Sequence, residues 1–179
     1  MPQPIGPLVS QQGPAARPPG STLHGRHITL TPLQPSHAPS SFPHLAGPGN
    51  VDRWTYMLSG PYPTLPEWQS ALTSWSGVEK DPIFYAALLR NPDSGEEEAV
   101  GLLSYMNVVP DHRRVEIGSI NLGAVLQRTR ASTEAFYLFI RHAFEELGYV
   151  RVEWKANHLN APSLAAAERL GFVFEGIFR

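Results

Sequence analysis

Ile117-Gly118-Ser119-Ile120-Asn121-Leu122-Gly123-Ala124-Val125-Leu126-Gln127-Arg128-Thr129-Arg130-Ala131-Ser132-Thr133-Glu134-Ala135 is the stretch that decides the fold. A strand, Val115 to Leu122, ends in a short polar loop, and a long helix starts. The helix reads from Ser132 to Leu147: Ala135, Phe139, Ala143 and Leu147 recur every four residues, with Phe136, Ile140 and Phe144 beside them, and Gly148 is a C-terminal stop. The first N–H groups of such a helix lack intrahelical partners and sit at the positive end of its dipole, which suits an anion. The stretch is therefore a candidate pyrophosphate site, although every strand–loop–helix unit has such a terminus.

Upstream, Ile83 to Leu89 is a nearly continuous apolar run, as in a strand buried on both faces. Asn91-Pro92-Asp93-Ser94-Gly95 is turn chemistry, and Ala99 to Val109 is a second strand. With Val115 to Leu122 these form an antiparallel meander. Before it, Ile28 and Leu30 alternate as in a strand. Prolines interrupt residues 34–49, and Val51 to Leu58 has room for a helical turn or two. Thr64 and Glu67 have capping-box spacing for a helix from about Pro66 to Trp75. Downstream, Tyr149 to Lys155 alternates as a strand. Asn160 is placed to cap a helix with Pro162 in its first turn, ending at Leu170-Gly171. Phe172 to Phe178 starts a final strand. The order implies an α/β fold: a mixed, mostly antiparallel sheet with helices on its faces.

Fourteen of the 18 prolines fall in the first 66 residues, and residues 1–22 carry little to bury. They are expected to be a disordered tail, leaving 23–179 as the domain. A net charge of −2 gives no reason to expect nucleic acid, and no apolar stretch reaches membrane-spanning length. Without cysteine there is neither a disulfide framework nor a thiolate metal site, and the seven histidines show no ligand spacing, so no metal is expected. The default compartment is the cytosol, with the nucleus accessible from it.

Residues 117–135 resemble the coenzyme A-binding motif of the GNAT superfamily of N-acetyltransferases. Gln127 matches the leading Gln/Arg of its Q/R-x-x-G-x-G/A pattern, Ser132 the small residue, and Thr133-Glu134-Ala135 the T-E-A ending of the ribosomal-protein N-terminal acetyltransferase group. Glu116-Ile117-Gly118 is similar to that group's strand. Arg151 to Lys155, Asn157, Asn160, Ser163, Glu168-Arg169-Leu170-Gly171-Phe172 and Phe174-Glu175-Gly176 resemble its ending. The resemblance covers roughly residues 26–179. It implies a splayed sheet, with acetyl-CoA as cosubstrate and a primary amine, of a small molecule or a protein N-terminus, as acceptor. It also implies that backbone groups of Leu122 and Ala124 pair with the pantetheine arm, that Gln127, Arg128, Thr129, Arg130, Ala131, Ser132 and Thr133 cradle the pyrophosphate, and that Asn160, with Ser163 close by, meets the pantetheine. Glu116 is the expected base, directly or through water, or else a paired strand carboxylate.

This chain departs from the family at three places. Arg128 and Arg130 stand where the phosphate loop has glycines. They can bind phosphate through guanidinium forks, or be solvated residues at the helix start. Ala167 stands where many members place a tyrosine acid. The chain also ends at Arg179, before the family's last strand, so the sheet is expected to lack it. Trp54, Tyr56 and Tyr62 are expected on the acceptor side, while Trp68 and Trp75 suit the core. Direct transfer from acetyl-CoA to an amine is the leading reading, and a non-catalytic or incomplete acyl-CoA-binding domain is the alternative.

Overall fold

The computed structural model describes residues 3–7, 13–91 and 94–179. Six strands form one sheet in the order of the chain: β1 Leu23–His24, β2 Thr29–Pro32, β3 Ile83–Arg90, β4 Glu97–Val109, β5 Arg114–Leu122 and β6 Arg151–Glu153. All neighbours are antiparallel except β5 and β6, which run parallel. The expected class therefore holds: a mixed, mostly antiparallel sheet with helices on its faces.

Helices α1 Ala38–Leu45 and α2 Leu65–Trp75 cover one face, and α3 Arg130–Arg141 covers the other. Between the sheet and α3, Tyr105 stacks on Phe139 at 3.7 Å between ring centroids, and Tyr85 meets Phe139 edge-on. On the other face Trp54, Tyr62, Trp68 and Trp75 form an aromatic cluster, and Phe84 stacks on Trp75. The Ile83–Leu89 run serves both cores: Tyr85 and Ala87 face α3, while Phe84 and Ala86 face α1 and α2. This is why it does not alternate. Thr64 and Glu67 form the capping box of α2.

The long helix ends its α geometry sooner than its periodicity predicts. At His142–Glu146 the chain widens into a π turn, with Leu147 N–H reaching the His142 carbonyl. The Tyr105 hydroxyl donates to the Phe139 carbonyl at 2.5 Å and so competes for the acceptor of the next helical bond. Phe144 is consequently exposed, while Ala143 and Leu147 stay in the core.

Three further expectations change. Residues 13–22 are not a free tail. Ala15 and Ala16 N–H donate to the carbonyls of Pro110 and Leu147 at 3.0 and 2.8 Å, Arg17 reaches the Lys80 carbonyl at 2.6 Å, and Ala15 is buried. These anchors are mostly backbone groups, which composition does not reveal. Residues 1–2 and 8–12 of the tail, and Pro92-Asp93 of the hairpin turn, lie outside the described residues. The strand expected over Tyr149–Lys155 shrinks to Arg151–Glu153, because β5 offers it a partner only over Arg114–Glu116. Phe172 to Phe178 forms no strand. It joins no ladder among the described residues, being held by the Arg151–Glu175 ion pair and by Phe172 edge-on against Trp154, and Val173, Phe174, Ile177 and Phe178 are exposed.

Candidate active site

The parallel pairing of β5 and β6 runs Arg114↔Arg151, Val115↔Val152, Glu116↔Glu153, and stops. Beyond it β5 continues to Leu122, bonded only to β4, while the chain after Glu153 turns toward α4 Ala161–Arg169. The sheet is split there, and one edge of residues 117–122 faces the gap. Ser119 lies at a register shift between β4 and β5 and takes a left-handed conformation, φ 48°. It is a bulge that bends the strand beside the split.

Glu116 sits at the apex of the split and is buried. Asn107 Nδ2 donates to its Oε2 at 2.8 Å, and Lys155 Nζ donates to the same oxygen. Oε1 is the oxygen on the Gly118 side. Lys155 also reaches Glu153 Oε2 at 2.9 Å, and Glu153 takes Arg151 Nε at 2.8 Å and lies 3.6 Å from Arg114. Desolvation opposes the charge on Lys155, but its bonds to Glu116 and Glu153 prevail and hold its pKa above the ordinary value. The Arg151 bond, then the Lys155 bond, pulls the Glu153 carboxyl down to about 2. Apex and outer rim are thus a fixed alternation of charges.

At the far end of β5, Gly123 N–H donates to the Val100 carbonyl at 2.7 Å, and a Cβ on Gly123 would lie 2.7 Å from that oxygen. Glycine is required by this close approach. The Leu122 carbonyl accepts from Gln127 Nε2 at 2.9 Å and from Arg53 at 2.8 Å. Gln127 is therefore spent on the loop, and the Leu122 oxygen expected to meet a ligand already has side-chain donors. Arg128 adopts φ 60°, a left-handed backbone state that favours glycine. Thr129 caps α3 through its hydroxyl, which accepts from Ser132 N–H at 3.1 Å.

Arg128, Thr129, Arg130, Thr133, Glu134 and Tyr137 line a shallow open hollow at this helix start. Ala131 and Ser132 are buried, the Ser132 N–H being held by Thr129, and Ala124 is exposed on the loop. Arg169 of α4 donates to Thr133 Oγ1 at 3.2 Å, adding a third guanidinium. Glu134 points away: its carboxylate takes the Arg26 and His27 N–H groups at 2.8 and 2.6 Å and anchors the β1–β2 hairpin.

Across the split, the Asn160 side chain caps α4 by accepting from Ser163 N–H at 3.3 Å, and Ser163 Oγ accepts from Trp154 Nε1 at 3.0 Å. Both are committed to shaping α4. On the opposite face of β5, Trp54 is buried, donates to the Leu45 carbonyl at 2.9 Å, and lines a narrow pocket. Tyr62 packs behind it in the aromatic cluster and Tyr56 is exposed; neither lines that pocket. Of the three residues expected on the acceptor side, Trp54 alone is among the residues lining this pocket, together with Trp75, which was expected in the core.

Lys155, Asn107, Arg53 and Arg169 were not legible as site residues. Lys155 alternates with Glu153 in the sequence, which places it beside the strand carboxylates. The others arrive from elements distant in the chain, without a motif.

The arrangement gives an extended ligand a strand edge, with cations at one end and a carboxylate at the other. No group of three or more His, Cys, Asp or Glu among the described residues is placed to hold a metal, and no helix among them is long and apolar enough to cross a membrane. Residues 27–173 match the family described as "Acetyltransferase (GNAT) domain". A GCN5-related N-acetyltransferase from Brucella melitensis is 34% identical, with a TM-score of 0.86 over 96% of this chain and 76% of that one. A probable GNAT-family acetyltransferase from Chromobacterium violaceum is 33% identical, with a TM-score of 0.84 over 97% and 84%. An acetyl transferase from Salmonella typhimurium, said to modify the N-terminal serine of ribosomal protein L7/L12, shares the fold at 18% identity and a TM-score of 0.69, covering 87% of each chain. No curated protein matches the chain. With the split sheet, the loop between β5 and α3 and these likenesses in agreement, the chain belongs to the GNAT acetyltransferase family.

Proposed function

We propose that the protein transfers the acetyl group of acetyl-CoA to a primary amine by direct attack. The carrying observation is the split between β5 and β6, with the arginine-lined hollow at one end and Glu116 at the other. An extended pantetheine arm fits beside residues 117–122 as an added strand; its backbone partners would include Ala124 and, on displacing Gln127 from the Leu122 carbonyl, Leu122. The pyrophosphate would lie over residues 127–133, met by the Arg128 and Arg130 guanidiniums and the free amides of the helix start. Asn160 and Ser163 would flank the arm from the α4 side. The group carried by acetyl-CoA is an acyl thioester, and the chain orients it against the amine.

An ammonium must lose a proton before it attacks. Glu116 receives it on Oε1, directly or through water, while Lys155 and Asn107 hold Oε2 and keep the carboxyl oriented. Nitrogen then bonds to the carbonyl carbon, the tetrahedral oxyanion forms, the nitrogen gives up its extra proton to water, and the C–S bond breaks to release thiolate and the neutral amide. Ala167 supplies no acid, and a thiolate leaves without one. The chain has no cysteine to carry an acetyl group, which favours direct transfer. The fold-level likeness to the Salmonella enzyme inclines the acceptor toward a protein N-terminus, and the cytosol is the compartment where both substrates meet.

One observation favours a second reading. Glu116 is already paired with Lys155, as in a purely structural ion pair, and a domain that binds acyl-CoA without turnover would also keep it. Thiol release from acetyl-CoA with a panel of amines and N-terminal peptides separates the two. Amine-dependent release that falls at least about 100-fold in Glu116→Gln supports transfer with this base. Saturable acetyl-CoA binding without release by any amine supports the second reading.

A further inference from the structure

On the face of β5 away from α3, Ser119 and Asn121 form the floor of a narrow pocket. Trp54, Trp75, Phe84 and Leu102 wall it, and the loop at Met57–Ser59 stands at its mouth. The Asn121 side chain is 4% exposed, and its Nδ2 has no hydrogen-bond partner. Burying an amide N–H without a partner is unfavourable, and an apolar side chain of similar volume would suit these walls better. The Asn121 Nδ2 therefore contributes nothing to the fold here that an apolar group would not. The Tyr149 hydroxyl, also buried without a partner, belongs to the core on the α3 side. Asn121 is among the residues lining the pocket beside Trp54.

Its position bears on the acceptor. The β4–β5 register pairs Met106 with Glu116, Ser104 with Gly118 and Leu102 with Asn121. Met106, Ser104 and Leu102 alternate onto one face, so Glu116 and Asn121 share that face, with the Ser119 bulge between them. Allowing for the bulged residue, roughly 13 Å of strand separates them. Glu116 reaches into that interval with Oε1 on the Gly118 side, which leaves about the length of an extended dipeptide with a hydrogen bond at each end.

We infer that Asn121 is a specificity-determining residue: its amide N–H binds an oxygen that the acceptor carries within a dipeptide's length of its amine, and the tryptophans exclude water around that bond. The acceptor's being an amine rests on the acetyl-transfer reading, but the pocket's demand for an oxygen does not. The oxygen is a backbone carbonyl or a hydroxyl, since both accept from an amide.

The test reads binding, not turnover. Alanyl-alanine amide, 6-amino-1-hexanol and hexylamine are titrated into the protein by calorimetry, with the Asn121 side-chain NH2 signal followed by NMR. The expected result is that at least one oxygen-bearing probe shifts that signal and binds at least tenfold more weakly to Asn121→Leu. Hexylamine binds the variant at least as well as the wild type, and the variant melts no lower than wild type. The dipeptide amide alone identifies a carbonyl as the oxygen, and the amino alcohol alone a hydroxyl. Asn121→Met gives a second, less branched replacement should leucine not fold. Equal affinities of all three probes for wild type and variant, or an unmoved Asn121 signal, overturn the inference. A transfer assay with acetyl-CoA on the same proteins keeps the two readings apart. Oxygen-dependent binding without transfer counts only against the acetyl-transfer reading, and transfer indifferent to Asn121 counts only against the pocket.

Discussion

Arg128 concentrates the chemistry of the phosphate loop in one residue. It holds φ 60° where glycine is at ease, so its backbone stores strain of about 1–2 kcal/mol, partly offset by glycine's greater loss of entropy on folding. Arg128→Gly is accordingly expected to change stability by less than about 1 kcal/mol in thermal melting. If the guanidinium binds phosphate, the same variant lowers coenzyme A affinity about tenfold, as for one lost charge-assisted bond. Affinity that survives both Arg128→Gly and Arg130→Ala would reduce these arginines to solvated surface residues. Gly123→Ala is the opposite case: its Cβ would press on the Val100 carbonyl, and a loss of about 1–3 kcal/mol is expected in denaturant unfolding.

The charges at the apex have a pH signature. The Glu153 carboxyl falls from 4.5 to about 2 on folding, so its contribution is fully present above pH 4.5 and is lost as pH drops through 2. Much of the pairing is near solvent, which limits that contribution to about 1 kcal/mol. Glu153→Gln should flatten the stability profile across this window while leaving it unchanged in shape above it. An unaltered acid limb would show that the pairings with Arg151 and Lys155 contribute nothing net.

At the scale of elements, the strand–loop–helix unit was legible because a short polar loop precedes a four-residue apolar repeat that ends at Gly148; the cap at Thr129, which starts α3 at Arg130 and not at Ser132, was not legible from the sequence. Nor was the shortening of β6, because alternation reports which way side chains point and not whether a partner strand is alongside. The π turn after α3 was hidden for a similar reason. It depends on the Tyr105 hydroxyl, 34 residues away in sequence, taking the Phe139 carbonyl. Tyr105→Phe should therefore cost about 1 kcal/mol and weaken amide-exchange protection over residues 142–147. Protection that stays at wild-type level would mean the π turn is set by Leu147 and Tyr149 instead.

Across the whole molecule, two aromatic cores clamp the sheet from both sides, and the split lies where the second strand of a pair runs out. The class of fold follows from element order alone. Of the site, the backbone frame at Leu122–Thr133 and the position of Glu116 could be read along the chain. The lysine on Glu116, the arginines at 53 and 169 and the pocket at Asn121 depend on contacts between distant segments. The Ala15–Arg17 anchor shows the same limit at the N-terminal end: its bonds are made by backbone and one guanidinium, and Pro-rich composition conceals them.

The central claim is that the split between β5 and β6 takes acetyl-CoA, and titration calorimetry of acetyl-CoA into the protein tests it most directly. The account predicts saturable one-to-one binding that weakens about 100-fold when Arg128 and Arg130 are both replaced by alanine, two charge-assisted contacts being lost. A folded protein that gives no heat of binding with acetyl-CoA would contradict it.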